Sequence, residues 1–464
     1  MKPTPGLMFR AVLILLGLVC AVGLWRVLAT IGLAMPLDPN EGWNAYHTAA
    51  AMSGQALYPG HEAYLVNNYP PLSFYVVGAA GSIVGDAIVA GRIVSLLAVA
   101  WICLVMALAA QRLGVSRQES LLPPLLFLAG LLLFTDYVGM DDPQMLAQAV
   151  SITGLLMLLQ KPAGRFAIPA AALAFVLGFF VKHNIVALPI AATLWLLLQD
   201  RRRALLLAGY GTLFLGIGLA LFRLTYGVSL LSVMVTARLY SVDAMVSGLA
   251  GWLRFAGAPI VGFGVLAWLA PRDPAVRLAA LYAVIATVIG SYFLGGAGVD
   301  PNVLFEADIA LSLAAGLLLQ RLAGWRAAAA AMVLAAPLLA FAATNRDWQA
   351  AYLDPSALRA EAAVARSDIA FMAAQKGPGL CEMLSFCYWA GKPPAVDEFN
   401  VGQQFETSAR SDGEIAAAVA TKRYAVIQFD PGEPNALGEN VYSALMQAYR
   451  LHHTDDFGTF YVPR

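Results

Sequence analysis

The stretch "AVLILLGLVCAVGLWRVLATIGLAMPLDPNEGWN", residues 11–44, holds two statements. An apolar run from about 8 to 34 is longer than the roughly 17 to 25 residues a helix needs to cross a bilayer. It then gives way within a few residues to Asp38, Glu41 and Asn44. Lys2 and Arg10, at the start of the chain, resemble the start of a signal peptide. The run is too long and has no convincing small-residue cleavage site, so it reads as a retained first membrane helix. Further apolar runs lie near 87–110, 119–136, 143–160, 166–182, 184–199, 203–222, 252–270, 276–294, 303–320 and 326–343. The whole chain of 464 residues is 60% hydrophobic and 12% charged, too apolar to dress a water-facing surface. The expected fold is therefore a polytopic α-helical membrane protein of about eleven transmembrane helices.

Lys and Arg in the short loops set the orientation, since they are retained on the cytoplasmic side. With the N-terminus in the cytoplasm, Lys2, Arg10, Arg112, Arg117, Lys161, Arg165, Arg201 to Arg203, Arg272, Arg277, Arg321 and Arg326 share that side. The opposite loops carry Lys182, Arg223 and Arg238. An odd number of crossings leaves residues 345–464 outside, in the periplasm if the cell is a bacterium and the membrane its inner one. That tail reads as a small α/β soluble domain. Helices are expected near 356–375, 411–421 and 436–449, and strands at "RYAVIQFD" (423–430) and "FGTFYVP" (457–463). The transmembrane domain then spans 1–344. Its first outer loop, 35–86, contains Asp38, Glu41, His47, His61, Glu62, Asn67 and Asn68 without a Lys or Arg. Residues 42–53 and 71–84 in this loop read as amphipathic helices lying on the membrane surface. Balanced charge, Lys+Arg 29 against Asp+Glu 29, gives no reason to expect nucleic acid as a partner. Cys20 and Cys103 read as inert packing residues, while Cys381 and Cys387 are either a structural disulfide or two free thiols.

Four polar clusters on the outer side are candidates for chemistry. In "LDPNEGWN", Asp38 and Glu41 fit a capping box around Pro39, and a cap can also be a catalytic carboxylate. In "GMDDPQM", Asp141 and Asp142 occupy what reads as a very tight turn. In "FVKHN", Lys182 and His183 sit between two apolar helices, where a cation is costly unless paired or used, or else snorkels to the interface. In "GGAGVDPNVLFEAD", Asp300 precedes a helix that carries Glu306 and Asp308, acids that face a cavity or pair with Arg223, Arg238 or Arg254. The five histidines show no metal-ligand spacing.

In order and context these motifs resemble the GT-C glycosyltransferases, especially the glycosyltransferase family 39 branch that includes lipid A aminoarabinose transferases and protein O-mannosyltransferases. "LDPNEGWN" resembles the acidic motif that opens their first outer loop, "MSGQALYPG" and "NNYPPLSFY" their glycine-tyrosine and paired-proline stretches, and Arg92 an arginine at the start of their second membrane helix. "GMDDPQM" and "FVKHNIVALP" resemble their second acidic loop and lysine-bearing junction. The likeness spans roughly residues 8–200. It departs from the aminoarabinose branch in spreading an adjacent Asp-Glu pair over Asp38 and Glu41.

The resemblance implies transfer of a sugar from a polyprenyl-phosphate donor to a lipid or glycan acceptor at the outer membrane face, with inversion. Asp38 would be the base or a metal-linked acid, with Glu41 as the alternative, and Asp142 would position the acceptor or complete the acidic site. Lys182, His183 and Arg238 would hold the donor phosphate, and Asp141, Tyr69, Asp300 and Glu306 would contact substrate. The resemblance makes no cofactor certain. A divalent cation on Asp38 and Glu41 stays an open alternative. Two other readings compete: a secondary transporter using Glu306 and Asp308 as ion sites, and an inactive or glycan-ligase relative on the same scaffold.

Overall fold

The computed structural model describes residues 4–60, 63–160, 164–430 and 437–464; Lys2, His61, Glu62 and Lys161 lie outside them. The chain runs α1 (Pro5–Thr30), α2 (Pro39–Ser53), α3 (Leu72–Val84), α4 (Ala87–Arg112), α5 (Leu122–Phe134), α6 (Gln144–Leu158), α7 (Ala167–Val181) and α8 (Ala187–Gln199). It continues through α9 (Arg201–Tyr226), a short α10 (Leu230–Met234), α11 (Val242–Leu269), α12 (Pro274–Leu294), α13 (Phe305–Arg321) and α14 (Trp325–Thr344).

Every expected apolar run coincides with a helix, but among the described residues seven helices are long and apolar enough to cross a membrane: those at 5–30, 87–112, 201–226, 242–269, 274–294, 301–321 and 325–344. The helices α5 to α8 have 13 to 15 residues each. At 1.5 Å per residue they are about 20 to 23 Å long, short of a hydrocarbon core of about 30 Å. The expected eleven crossings are thus seven long helices and four short ones. The junctions after α5 and α7 are buried in the protein, with Asp141, Asp142 and Lys182 each at most 5% exposed.

Helix α13 is the axis of the bundle, buried at nearly every position from Phe305 to Leu319. Ala307, Ala310, Ala314, Ala315 and Gly316 let neighbouring backbones approach, which is how helices associate where lipid removes the hydrophobic incentive. A Cβ at Gly316 would strike Pro123 of α5. By contrast α1 and α9 leave Leu7, Ile14, Leu18, Leu205, Leu213 and Leu224 exposed, an apolar boundary suited to lipid.

The tail is built as α15 (Arg346–Leu353), α16 (Pro355–Ala374), β1 (Gly379–Cys381), α17 (Leu384–Trp389), α18 (Glu398–Glu406), α19 (Gly413–Ala420), β2 (Val426–Phe429), α20 (Glu439–Ala448), β3 (Tyr449–Asp455) and β4 (Gly458–Pro463). Its four strands lie in the order β1-β2-β4-β3, with β1 parallel to β2 and the other pairs antiparallel. The three expected helices and the strands β2 and β4 are present. β1 and β3 are additional: β1 is three residues, too short to show alternation, and β3 is mostly exposed and polar. Cys381 and Cys387 form a disulfide across the turn from β1 into α17, while Cys20 and Cys103 are free.

Two expectations for the outer loops need correction. Helix α2 does not lie on a surface: Glu41 to Thr48 are all buried between the membrane helices and the C-terminal unit. Gly42 makes this possible, since a Cβ there would collide with the backbone of Leu384 and Ser385 in α17. The turn carrying Asp141 and Asp142 is not tight either, for nine residues, 135–143, separate α5 from α6.

Candidate active site

The sequence places polar residues at the outer ends of short helices, and the fold draws them together. Asp38 is the N-cap of α2, its Oδ1 accepting from the Asn40 N–H at 2.8 Å. Only half of the expected capping box forms. Glu41 reaches back to the N–H of Leu37 (3.0 Å) instead of Asp38, because Arg92 of α4 captures it. Arg92 Nε donates to Glu41 Oε1 at 2.7 Å and Nη2 to Oε2 at 2.6 Å, a fork-on-fork pair with neither side chain exposed. The remaining guanidinium hydrogens go to the carbonyls of Thr30, Leu33 and Met35, and Glu41 Oε1 also accepts from the Asp141 N–H. Every lobe of this pair is filled. It ties the chain leaving α1 to α4 and to the 135–143 segment, and leaves Glu41 no free valence for a substrate proton or a metal ion. The reading of Glu41 as alternative base or ligand is corrected accordingly.

The 135–143 segment seats against α4 because residue 91 is glycine; a Cβ there would overlap the Asp141 carboxylate. Asp141 is buried, and its carboxyl is pushed well above the usual range by burial, with Glu41 and then Asp142 adding to the effect. Its carbonyl accepts from Asn44 of α2. Asp142 is both turn and ion pair: Oδ1 caps the N–H of Gln144 at 2.7 Å and accepts from Lys182 Nζ at 2.7 Å. Lys182 is only 4% exposed. Its ammonium lies 5.1 Å from the centre of the Tyr69 ring and 6.0 Å from that of Tyr137, a wall of aromatic faces around a cation. Asp142 Oδ2 is buried with no partner among the described residues.

Asp300 joins the cluster through Tyr137, whose hydroxyl donates to its Oδ2 at 3.0 Å. Asp38 belongs to the same field: burial lifts its carboxyl to about 7, with Asp300, Asp142 and Glu41 pushing in the same direction. Its one side-chain hydrogen bond among the described residues is the Asn40 cap. His183 packs on Tyr69, with ring centres 6.0 Å apart, and burial together with Lys182 and Arg238 lowers it to about 4. It therefore stands as a neutral imidazole, not a cation, near neutral pH. Arg238 stands in an extended segment before α11, one nitrogen donating to the Ala297 carbonyl and another to Asn400 of α18.

Glu306 is not at this site. Its two oxygens accept from the N–H groups of Ala187 and Leu188, capping α8. Asp308 accepts from the Trp252 indole at 2.8 Å. Neither pairs with Arg223, Arg238 or Arg254, and Glu306 as a substrate contact is corrected to a helix cap. Sequence reasoning missed Tyr137, whose signal was an aromatic two residues from Gly139 and close to Asp141 and Asp142. It also missed Asp397 and Asn400. Asp397, the N-cap of α18, accepts from the Trp43 indole at 3.0 Å across 354 residues of chain, and Asn400 accepts from Arg238. Among the described residues, a group of three metal-ligating side chains forms in the C-terminal unit at Asp368, His453 and Asp455, and not at Asp38 and Glu41.

Comparison with protein-family models and with curated proteins finds no match. Solved structures do match. ArnT from Cupriavidus metallidurans, seen both in the apo state and bound to undecaprenyl phosphate, superposes with a TM-score of 0.65 over 96% of this chain and 97% of that one, at 15% identity. This chain has the fold of ArnT, a GT-C protein of the family 39 aminoarabinose transferase branch. The resemblance read from residues 8–200 thus extends, as fold, over almost the full length.

Proposed function

We propose that the protein is a membrane glycosyltransferase that moves a sugar from a polyprenyl-phosphate donor to a hydroxyl of a lipid or glycan acceptor. It would work at the periplasmic face of a bacterial inner membrane, with its N-terminus in the cytoplasm and residues 345–464 outside. The observation that carries the reading is the buried Lys182 ammonium, held by Asp142 beside Asp38 in a fold shared with a protein that binds undecaprenyl phosphate.

An ammonium has three donors, and Asp142 takes one of them. Another is shared with the Tyr69 hydroxyl, the third is left to meet a phosphate oxygen, and Arg238 adds a second cation near His183. In the proposed reaction Asp38 takes the acceptor hydroxyl proton as the oxygen attacks the anomeric carbon. The bond from that carbon to the donor phosphate breaks on the opposite side, which inverts the configuration. Lys182 and Arg238 balance the charge left on the polyprenyl phosphate. A carboxyl lifted to about 7 is matched to proton removal near neutral pH. Tyr69, Tyr137 and Asp300 would contact the substrates beside these groups. Asp141, buried and tied into the Glu41 anchor, is a supporting residue rather than a substrate contact.

The transporter reading loses its motive, since both acids it relied on are used by a helix cap and an indole. The test is sugar transfer by purified protein in lipid vesicles, supplied with a panel of polyprenyl-phosphate sugars. Turnover lost in Asp38→Asn and Lys182→Met supports the proposal; binding and transfer absent with every donor overturn it.

A further inference from the structure

Far from the acidic cluster, the C-terminal unit assembles a second group of ligand-type side chains. Asp368 projects from α16, and His453 and Asp455 from β3, with one ligand atom of each lying within 4.8 Å of the others. His453 Nε2 is 3.0 Å from Asp368 Oδ1 and 3.4 Å from Asp455 Oδ2. Two ligands of a tetrahedral zinc ion, each about 2.0 to 2.1 Å from the metal, stand about 3.3 Å apart. From these observations we infer that Asp368, His453 and Asp455 form a binding site for a divalent transition metal of the zinc class.

Three further features point the same way. Asp368 is 3% exposed, and its Oδ2 has no hydrogen-bond partner among the described residues, so a buried lone pair at the cluster awaits a ligand. Burying such an oxygen without a partner is costly, and a cation relieves that cost. Second, β3 is irregular here: Leu451 pairs with Tyr461 and His453 with Phe460, leaving His452 as the extra residue of a bulge. The bulge brings both imidazoles against Phe371, one turn beyond Asp368 on α16, with ring centres 4.2 and 5.3 Å away. Third, His452 Nδ1 and His453 Nδ1 are 2.7 Å apart. His453 can then donate Nδ1–H to His452 and present a bare Nε2 to a metal, the outer hydrogen bond by which ligating histidines are oriented.

Two carboxylates and one imidazole leave a position for water and balance the charge of a divalent ion. The partly exposed edge at His452 and His453 gives it a way in. The metal would fasten β3 to α16, and α16 in turn carries Glu361, which pairs with Arg26 of α1 at 3.1 Å.

The test uses the full chain in detergent, with any affinity tag removed and bound metal stripped by chelator. Zinc uptake is then measured by equilibrium dialysis with elemental analysis. Wild type is expected to take up one zinc, Asp455→Asn and His453→Ala to bind at least about tenfold more weakly, and Asp38→Asn to match wild type. His452→Ala is expected to weaken binding by about 10- to 100-fold as an orienting residue. Because Asp455→Asn changes a partly exposed, near-isosteric position, its failure to bind cannot be put down to misfolding if its melting temperature without metal equals that of wild type. A rise of melting temperature with zinc in wild type that is absent in Asp455→Asn is the second expected result. Wild type that holds no zinc, or His453→Ala and Asp455→Asn that hold as much as wild type, would overturn the inference.

Discussion

Two buried carboxylate-cation pairs lie within a few residues of one another, and they are built to opposite specifications. Glu41 and Arg92 face each other through both oxygens and two nitrogens, with the remaining guanidinium hydrogens spent on three carbonyls. Asp142 and Lys182 share one short contact, one carboxylate oxygen is left over, and the ammonium otherwise meets the Tyr69 hydroxyl and the rings of Tyr69 and Tyr137. Arginine offers a rigid fork that can be saturated, whereas lysine is a point charge with donors to spare. The first pair is a fastening; the second is an incomplete site.

The comparison can be broken by experiment. Arg92→Met strands the Glu41 carboxylate in the interior, and removing one partner of a buried pair costs about 3 to 5 kcal/mol. The expected result is loss of most folded protein, read by thermal unfolding and by recovery of monodisperse protein; a normal melting temperature would show that the pair is not an anchor. Asp38→Asn is expected to lower transfer by about 10²- to 10⁴-fold, the range for a general base. Its effect on stability has the reverse sign. A folded-state pKa of about 7 against about 3.9 unfolded means that the folded chain binds the proton more tightly. Stability from this group therefore falls as pH rises from about 4 to about 7. At pH 8 the Asn variant should melt no lower than wild type, while wild-type kcat/KM should rise with pH through about 7. Lys182→Met should cost about 10²- to 10³-fold in transfer, the scale of one lost charge-stabilising donor, with a loss in donor binding and a smaller change in melting temperature than Arg92→Met. Glu306→Gln should be mildest, costing about 1 to 2 kcal/mol through the weakened cap on α8. Unchanged turnover per folded molecule would confirm its separation from the site.

Much of the helical scaffold could be read because a lipid-facing helix must advertise itself in composition. The runs that became α1, α4, α9 and α11 to α14 are uninterrupted apolar stretches, and no neighbour is needed to recognise them. The acidic motifs were legible for a related reason: Asp38, Asp142 and Lys182 interrupt apolar runs at a cost that demands a purpose. The short helices α5 to α8 read as crossings because hydropathy does not register how deeply a junction sinks. Glu306 read as a functional acid because two of its partners, the N–H groups of Ala187 and Leu188, are backbone atoms common to every sequence, and a third, Tyr282, lies on another helix.

The sequence by itself determined the membrane habit, the positions of the helices, the C-terminal α/β unit and most of the polar residues that meet in the acidic cluster. Tertiary structure decided how those residues were divided between scaffold and site. That Glu41 belongs to Arg92 and Asp142 to Lys182, that Asn400 reaches Arg238, and that a bulge sets His452 and His453 against Phe371 are facts of distance between segments remote in the chain. Local propensity and hydropathy depend on a residue and its near neighbours, while the saturation of a buried charge depends on whatever the fold brings within about 3 Å of it.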